Sequence, residues 1–190
     1  MAVKMRNSPS RWGWLAQILH WGTALLIIIT IPVGWWANEL ERGATERVLF
    51  DLHFAIGVII FSLVGARLVW RMFDTAPVLP TDLSPVLKRA AKGTHFLLYL
   101  ILLTMIVSGY VIQVHMRPSL DVFGLLQIPR AFEPGDDESL RALAWYVHTY
   151  GVWVLGGLVT LHTIAALWHH FVRRDDALSR MLPFATREES

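Results

Sequence analysis

Four apolar stretches, at 14–36, 53–70, 96–114 and 143–172, take up most of the 190 residues. At 1.5 Å of rise per helical residue, each is long enough, or nearly so, to cross a hydrocarbon core of about 30 Å. Hydrophobic residues make up 54% of the chain and the mean hydropathy is +0.45. With so little chain left over, no separate soluble domain fits. The expected fold is an all-α, four-transmembrane-helix bundle, one domain over 1–190 set in membrane lipid.

The charges assign an orientation. Lys4, Arg6 and Arg11 precede the first stretch. Arg67, Arg71, Lys88, Arg89 and Lys92 lie around the second connection, and Arg173, Arg174, Arg180 and Arg187 follow the last stretch. The first connection instead sets Glu39, Glu41 and Glu46 against Arg42 and Arg47, and the third sets five carboxylates against three arginines. By the positive-inside rule both termini and the middle loop are cytoplasmic. The sequence pI of 9.2 then reflects topology rather than nucleic-acid binding. The chain has no cysteine, which excludes disulfides, iron–sulfur clusters and covalent c-type haem. The first apolar run is longer than a signal core and is bracketed by Trp12, Trp14, Trp35 and Trp36, so it reads as a retained span.

Histidines carry the chemistry. His148 and His162 lie fourteen residues apart on the last stretch. In a bundle helix with a 3.5-residue repeat that is four whole turns, so both rings leave one face about 21 Å apart along the axis. Imidazoles held at two depths of a membrane are costly unless something uses them. Matching them by depth pairs His53 with His148 in the outer half and His20 with His162 in the inner half. One haem per pair would give each iron two axial imidazoles. With both axial positions filled, such a haem exchanges single electrons and offers no vacant site for oxygen activation. Taken singly, any of these histidines can also be an interfacial residue bonded to backbone or water. Gly57, four residues after His53, either lets a porphyrin approach the backbone or permits close helix packing. Arg67, Arg71 and Arg11 are available for propionates inside, and Arg42, Arg47, Arg117, Arg130 and Arg141 outside.

Local signals place the elements. Ser10 is the expected N-cap of the first helix, and Asp51-Leu52-His53 is the expected opening of the second. Ser84-Pro85 reads as N-cap and N1 of a basic amphipathic segment, 85–92, lying near the headgroups before the third helix begins. His115, beside Arg117 and Pro118, reads as a solvent residue. The segment 115–141 is punctuated by Pro118, Pro129, Pro134 and Gly135 yet carries Leu120, Val122, Phe123, Leu125, Leu126 and Ile128. It is expected to fold down as an irregular cap. No signature of a P-loop, Rossmann turn, serine hydrolase or tetrahedral zinc site is present.

Several motifs closely resemble the bacterial cytochrome b561 family. They are Arg11 with Leu19-His20-Trp21, His53-Phe54-Ala55-Ile56-Gly57, Arg67 with Trp70-Arg71, Gly93-Thr94-His95-Phe96 with Tyr99, and His148 with Leu161-His162 and Trp168-His169-His170. The resemblance runs from about Ser10 to Pro183. It implies an inner-membrane protein with two haem b groups that exchanges electrons with ubiquinone, with haem ligands at His20, His53, His148 and His162. It also implies a superoxide oxidase activity, in which superoxide yields oxygen outside and its electron passes through both haems to quinone.

Quinone chemistry needs protons as well. His169, seven residues beyond His162 on the same stripe, is the first candidate for relaying one, with His95 and Arg71 beside it. The acidic outer segment weighs against attracting superoxide unless its arginines cluster at the haem edge. Two other readings stay open. One is a cytochrome b anchor subunit passing electrons between quinone and a docked hydrogenase or dehydrogenase. The other is a haem-free transporter using histidines for metal ions. The residues identify no protein partner.

Overall fold

A computed structural model describes residues 4–78, 83–135 and 138–183. Pro80, Asp136, Asp137 and Arg187 lie outside the described residues. Four helices long and apolar enough to cross a membrane follow in order. They are α1 (Trp14–Glu39), α2 (Ala44–Phe73), α3 (Pro85–Met116) and α4 (Ser139–Trp168).

The first three helices outrun their apolar stretches, and α4 starts four residues early but gives way to a π-turn after Trp168; the added turns have local causes. The first begins after Gly13 rather than after Ser10. The Asn7 side-chain oxygen accepts the Gly13 N–H at 2.8 Å, and a Cβ on Gly13 would lie 2.1 Å from the Met5 carbonyl oxygen. Only glycine fits that approach. The second begins at Ala44 rather than near Asp51. Residues 44–50 contain good helix formers, and the Glu46 carboxylate reaches back to the Gly43 N–H at 3.5 Å. Ser84 does cap the third helix, accepting from the Leu87 N–H at 3.3 Å, with Pro85 in the first turn. The basic segment 85–92 is then continuous with α3 rather than a separate interfacial piece. At 32 residues, α3 spans about 48 Å, more than a bilayer core.

The helices form two antiparallel hairpins, α1 against α2 and α3 against α4, joined by a lighter α2–α3 contact. A small apolar core of Ile27, Ile56, Ile60, Val64 and Leu155 lies between them, flanked by Leu98, Leu102, Met105 and Val159. Large apolar side chains such as Ile28, Phe96, Val107, Trp153 and Ile164 are exposed on the outside, as lipid contact requires.

The two ends of the bundle are built differently. At one end both chain termini and the α2–α3 connection are tied together. The Asn7 N–H donates to Asp74 at 2.9 Å, Arg180 donates to the Val78 carbonyl at 2.7 Å, and the Trp21 indole donates to the Met181 carbonyl at 2.8 Å. At the other end, the expected irregular cap contains an antiparallel hairpin, β1 (Ser119–Val122) with β2 (Leu126–Pro129). Its turn places Phe123 and Gly124 at φ 55° and 70°, and Asp121 accepts the Gly124 N–H at 2.9 Å. The hairpin lies against α2, where Arg117 pairs with Asp51.

Candidate functional site

At the hairpin end, His53 of α2 faces His148 of α4. Their ring centres are 6.0 Å apart and their planes cross at 78°. Each ring is held from behind by a different helix in the same way. The His53 Nδ1 donates to the Thr30 carbonyl of α1 at 3.0 Å, with the Thr30 hydroxyl at 3.2 Å. The His148 Nδ1 donates to the Met105 carbonyl of α3 at 3.0 Å, with the Ser108 hydroxyl at 3.1 Å. A carbonyl only accepts, so the proton of each neutral ring sits on Nδ1 and the lone pair on Nε2. That is the tautomer a metal-ligating histidine uses.

One turn beyond each of these carbonyls is a glycine that makes room for the ring. A Cβ on Gly34 would sit 2.6 Å from the His53 Cε1, and one on Gly109 would sit 3.0 Å from the His148 Cε1.

At the termini end, His20 of α1 faces His162 of α4 with ring centres 6.1 Å apart and planes at 83°. This pair has company. His95 of α3 lies 5.4 Å from the His162 ring, and the Arg67 guanidinium is 3.2 Å from the His20 Nδ1. A guanidinium only donates, so this Nδ1 is an acceptor and the proton of the neutral ring moves to Nε2, opposite to the hairpin-end pair. Arg67 also lies 5.6 Å above the Tyr99 ring.

The remaining candidates divide between these sites and the tail. Arg71 lines a narrow cleft with Arg67, Trp12, Trp70, Asp74, Tyr99 and Met181. The buried Trp70 Nε1 and Tyr99 hydroxyl in it have no hydrogen-bond partner among the described residues. Arg11 donates to the Leu182 carbonyl at 2.9 Å. A Cβ on Gly57 would meet nothing within 4 Å. His169 stands apart from His95: its Nδ1 lies 2.6 Å from a carboxylate oxygen of Asp175. His115 turns back on its own helix, its Nδ1 donating to the Val111 carbonyl at 2.8 Å. Among the described residues no group of three or more His, Cys, Asp or Glu side chains is set to hold a metal ion.

The sequence model of the prokaryotic cytochrome b561 family matches residues 11–184. The chain belongs to that family. It is 29% identical over 181 residues to cytochrome b561 homolog 2 of Escherichia coli K12, covering 95% of both chains. It is 31% identical over 172 residues to a probable superoxide oxidase CybB of Yersinia pestis, covering 87% of this chain and 92% of that one. It is 25% identical to cytochrome b561 homolog 1 of Escherichia coli K12, covering 87% and 93%. The protein is therefore a bacterial cytochrome b561-family membrane electron-transfer protein, and membership implies haem b.

The geometry of this b561 bundle fits that group. Metal–nitrogen bonds of about 2 Å on either side of an iron set two opposed imidazole centres about 6 Å apart. The separations of 6.0 and 6.1 Å match. Sequence patterns pointed to the histidines because an intramembrane imidazole is rare. Nothing comparable pointed to the Thr30 and Met105 carbonyls, since every residue has one. Gly34 and Asp175 carry no spacing signal of their own.

Proposed function

We propose that the chain is a di-haem b oxidoreductase that passes single electrons across the membrane to ubiquinone. The observation that carries this reading is the repeated pairing of histidine rings about 6 Å apart, at two levels of one bundle. His53 and His148 would hold one haem and His20 and His162 the other. Each haem, when bound, supplies one-electron transfer. The chain's own residues fix the ligands and surround them with apolar side chains. Gly57 and its open surroundings leave room for a porphyrin face. Arg67 has no carboxylate partner among the described residues, and a propionate would draw it off the His20 Nδ1 and return the lone pair to Nε2. Arg11 would serve the same end of the bundle. The quinone would bind at the termini end, near His169, His95 and Arg71, with that end cytoplasmic as the positive charge distribution supports.

Superoxide is the electron donor this reading favours, because one relative carries that activity in its name. Two superoxide ions would each give up one electron and leave as oxygen. The quinone would take both electrons and two protons and leave as quinol. The electrostatics narrow where an anion would approach. Arg117, Arg130 and Arg141 are each paired with a carboxylate, Asp51, Glu133 and Glu138. Arg42, in the α1–α2 connection, and Arg47, in the first turn of α2, have no such ion pair among the described residues, so they are the cations an anion would meet, although Glu39, Glu41 and Glu46 leave that segment net negative.

The test is a reduced-minus-oxidised spectrum with haem counted per chain, in wild type, His148→Ala and His162→Ala. Two low-spin b haems, with one lost in each variant, are expected. A colourless wild type would overturn the redox reading and leave the transporter. Superoxide-dependent reduction of a short-chain ubiquinone then separates the oxidase from an anchor subunit, which would need a docked partner to be reduced.

A further inference from the structure

The last turn of α4 departs from α geometry. His169–Arg173 form a π-turn, and Arg174 closes it in the left-handed region at φ 56°, ψ 35°. A non-glycine residue there is uncommon, and π-turns concentrate at functional sites. The consequence is specific: the chain doubles back so that residue 175 contacts residue 169 twice. The Asp175 N–H donates to the His169 carbonyl at 3.1 Å, and the Asp175 Oδ2 accepts from the His169 Nδ1 at 2.6 Å. The carboxylate is itself held. Oδ2 accepts from the Arg173 Nε at 3.1 Å and Oδ1 from the Ala177 N–H at 3.1 Å. Both side chains are largely shielded, His169 being 20% and Asp175 14% exposed. Arg173 in turn lies 5.6 Å above Trp168, whose ring meets His169 edge to face.

We propose that Asp175 is a positioning residue for quinone chemistry: it fixes the His169 proton on Nδ1 and leaves Nε2 as the single nitrogen that exchanges protons with the bound quinone. This rests on the reading above that quinone binds near His169. A carboxylate only accepts, so Nδ1 must carry a proton. In the direction of quinone reduction, the electrons arrive singly from the haem side. The His169 Nε2–H bond breaks as an O–H bond forms on a quinone oxygen. The neutral ring then regains a proton from water at the membrane face, and two such transfers complete the quinol. In the reverse direction the neutral Nε2 accepts the proton of a quinol hydroxyl.

Burial alone would raise the Asp175 carboxyl, but the hydrogen bonds from His169, the Ala177 N–H and Arg173 outweigh it and hold the carboxyl below its ordinary range. His170 and Arg174 flank the pair in the same turn. Arg173 shares the turn, Asp176 pairs with Arg180 at 2.8 Å in the tail, and Arg11 of the amino-terminal segment bonds the tail at Leu182.

The experiment uses the haem-loaded protein and a short-chain ubiquinol, following haem reduction against pH by stopped flow. It compares wild type with Asp175→Asn, Asp175→Glu and His169→Gln. Removing the carboxylate is expected to displace the acid limb of the rate profile and to lower the plateau about tenfold, with Glu intermediate and the dithionite-reduced spectrum unchanged. Loss of thermal stability with an unmoved limb in the Asn variant, while His169→Gln is slow, would make Asp175 a helix cap only and overturn the proposal. An unchanged rate in His169→Gln would instead overturn the quinone reading itself. If Asp175→Asn yields no haem-loaded protein, the Glu variant decides alone: a displaced limb supports the proposal, and an unmoved one overturns it.

Discussion

The two histidine pairs have nearly the same ring separation but opposite preparation. At the hairpin end, both Nδ1 atoms are pinned by main-chain carbonyls, and two glycines clear the space the rings occupy. Backbone dipoles on packed helices hold that tautomer without any side chain having to move. At the termini end, Arg67 holds the His20 ring in the other tautomer, and the His162 ring nitrogens make no hydrogen bond among the described residues. His162 there has two histidine neighbours, His95 at 5.4 Å and His20 at 6.1 Å. One site is set by the scaffold. The other depends on exchangeable polar groups near the membrane face. The difference teaches that equal spacing of paired rings does not imply equal rigidity.

The sharpest way to break the contrast is to fill the cleared space. Gly34→Val places branched carbon where a Cβ already lies 2.6 Å from the His53 ring, and His53 cannot give way without losing the Thr30 carbonyl. Overpacking of this kind costs about 1–3 kcal/mol. The expected result is loss of the hairpin-end haem, halving the b-type absorbance per chain while the other haem stays. Gly135→Ala, in the segment before α4, where a Cβ meets nothing within 4 Å, serves as the control and should retain both. Equal loss from both variants would mean that haem loss reports general destabilisation rather than the filled space.

Next in size is Arg67→Leu, which acts on the termini end alone. Removing a cation beside a haem favours its oxidised, more positive state, so that haem's midpoint potential should fall. A change worth about 1.4 kcal/mol corresponds to about 59 mV for one electron, and a shift of that order is expected in a redox titration. The hairpin-end potential should not move. If both potentials fall together, Arg67 acts through the field of the whole bundle rather than locally.

How much of this contrast could be read from the chain depends on what kind of group carries it. The four spans and the depth-matched histidines were legible, because long apolar runs and charged or polar interruptions are side-chain properties. Ser84-Pro85 was legible as a helix start for the same reason. The helix ends were not. Residues 44–50 and 85–92 are polar and so read as outside the spans, yet a helix does not stop where the hydrocarbon does. The pairing of the histidine rings was legible and the groups that hold them were not. Nothing in the residue pattern singled out Thr30, Gly34, Ser108 or Gly109 as supports of those rings. The His169–Asp175 contact spans six residues across a π-turn and a left-handed arginine, a geometry with no periodic signature.

Smaller effects should follow from the hydroxyls behind the hairpin-end rings. Thr30→Val and Ser108→Ala each remove one oxygen near an Nδ1 that keeps its carbonyl partner. A typical net hydrogen bond is worth about 1 kcal/mol, so haem retention at that site should weaken about fivefold in a competition assay with apomyoglobin. Retention at the termini end should be unchanged. Loss as severe as that of Gly34→Val would mean that the hydroxyls, not the carbonyls, hold the rings.

The least conspicuous difference between the two ends is in their response to acid. Because the folded Asp175 carboxyl is held below its ordinary value, the unfolded chain binds its proton first as pH falls. The stability it contributes is therefore fully present above the unfolded value of about 3.9 and is lost as pH falls through the lower folded value. Amide hydrogen exchange, corrected for the intrinsic pH dependence, should show protection at 174–182 steady from pH 7 to about 5 and declining below about 4. In Asp175→Asn the same amides should already be weakly protected at pH 7, with no further step in that window. A variant that keeps the wild-type acid step would place the responsible carboxylate elsewhere, with Asp176 and its Arg180 partner the next to test. The tail would then be held to α1 chiefly by its main-chain bonds, the Trp21 indole on Met181 and the Gln17 amide on Arg180.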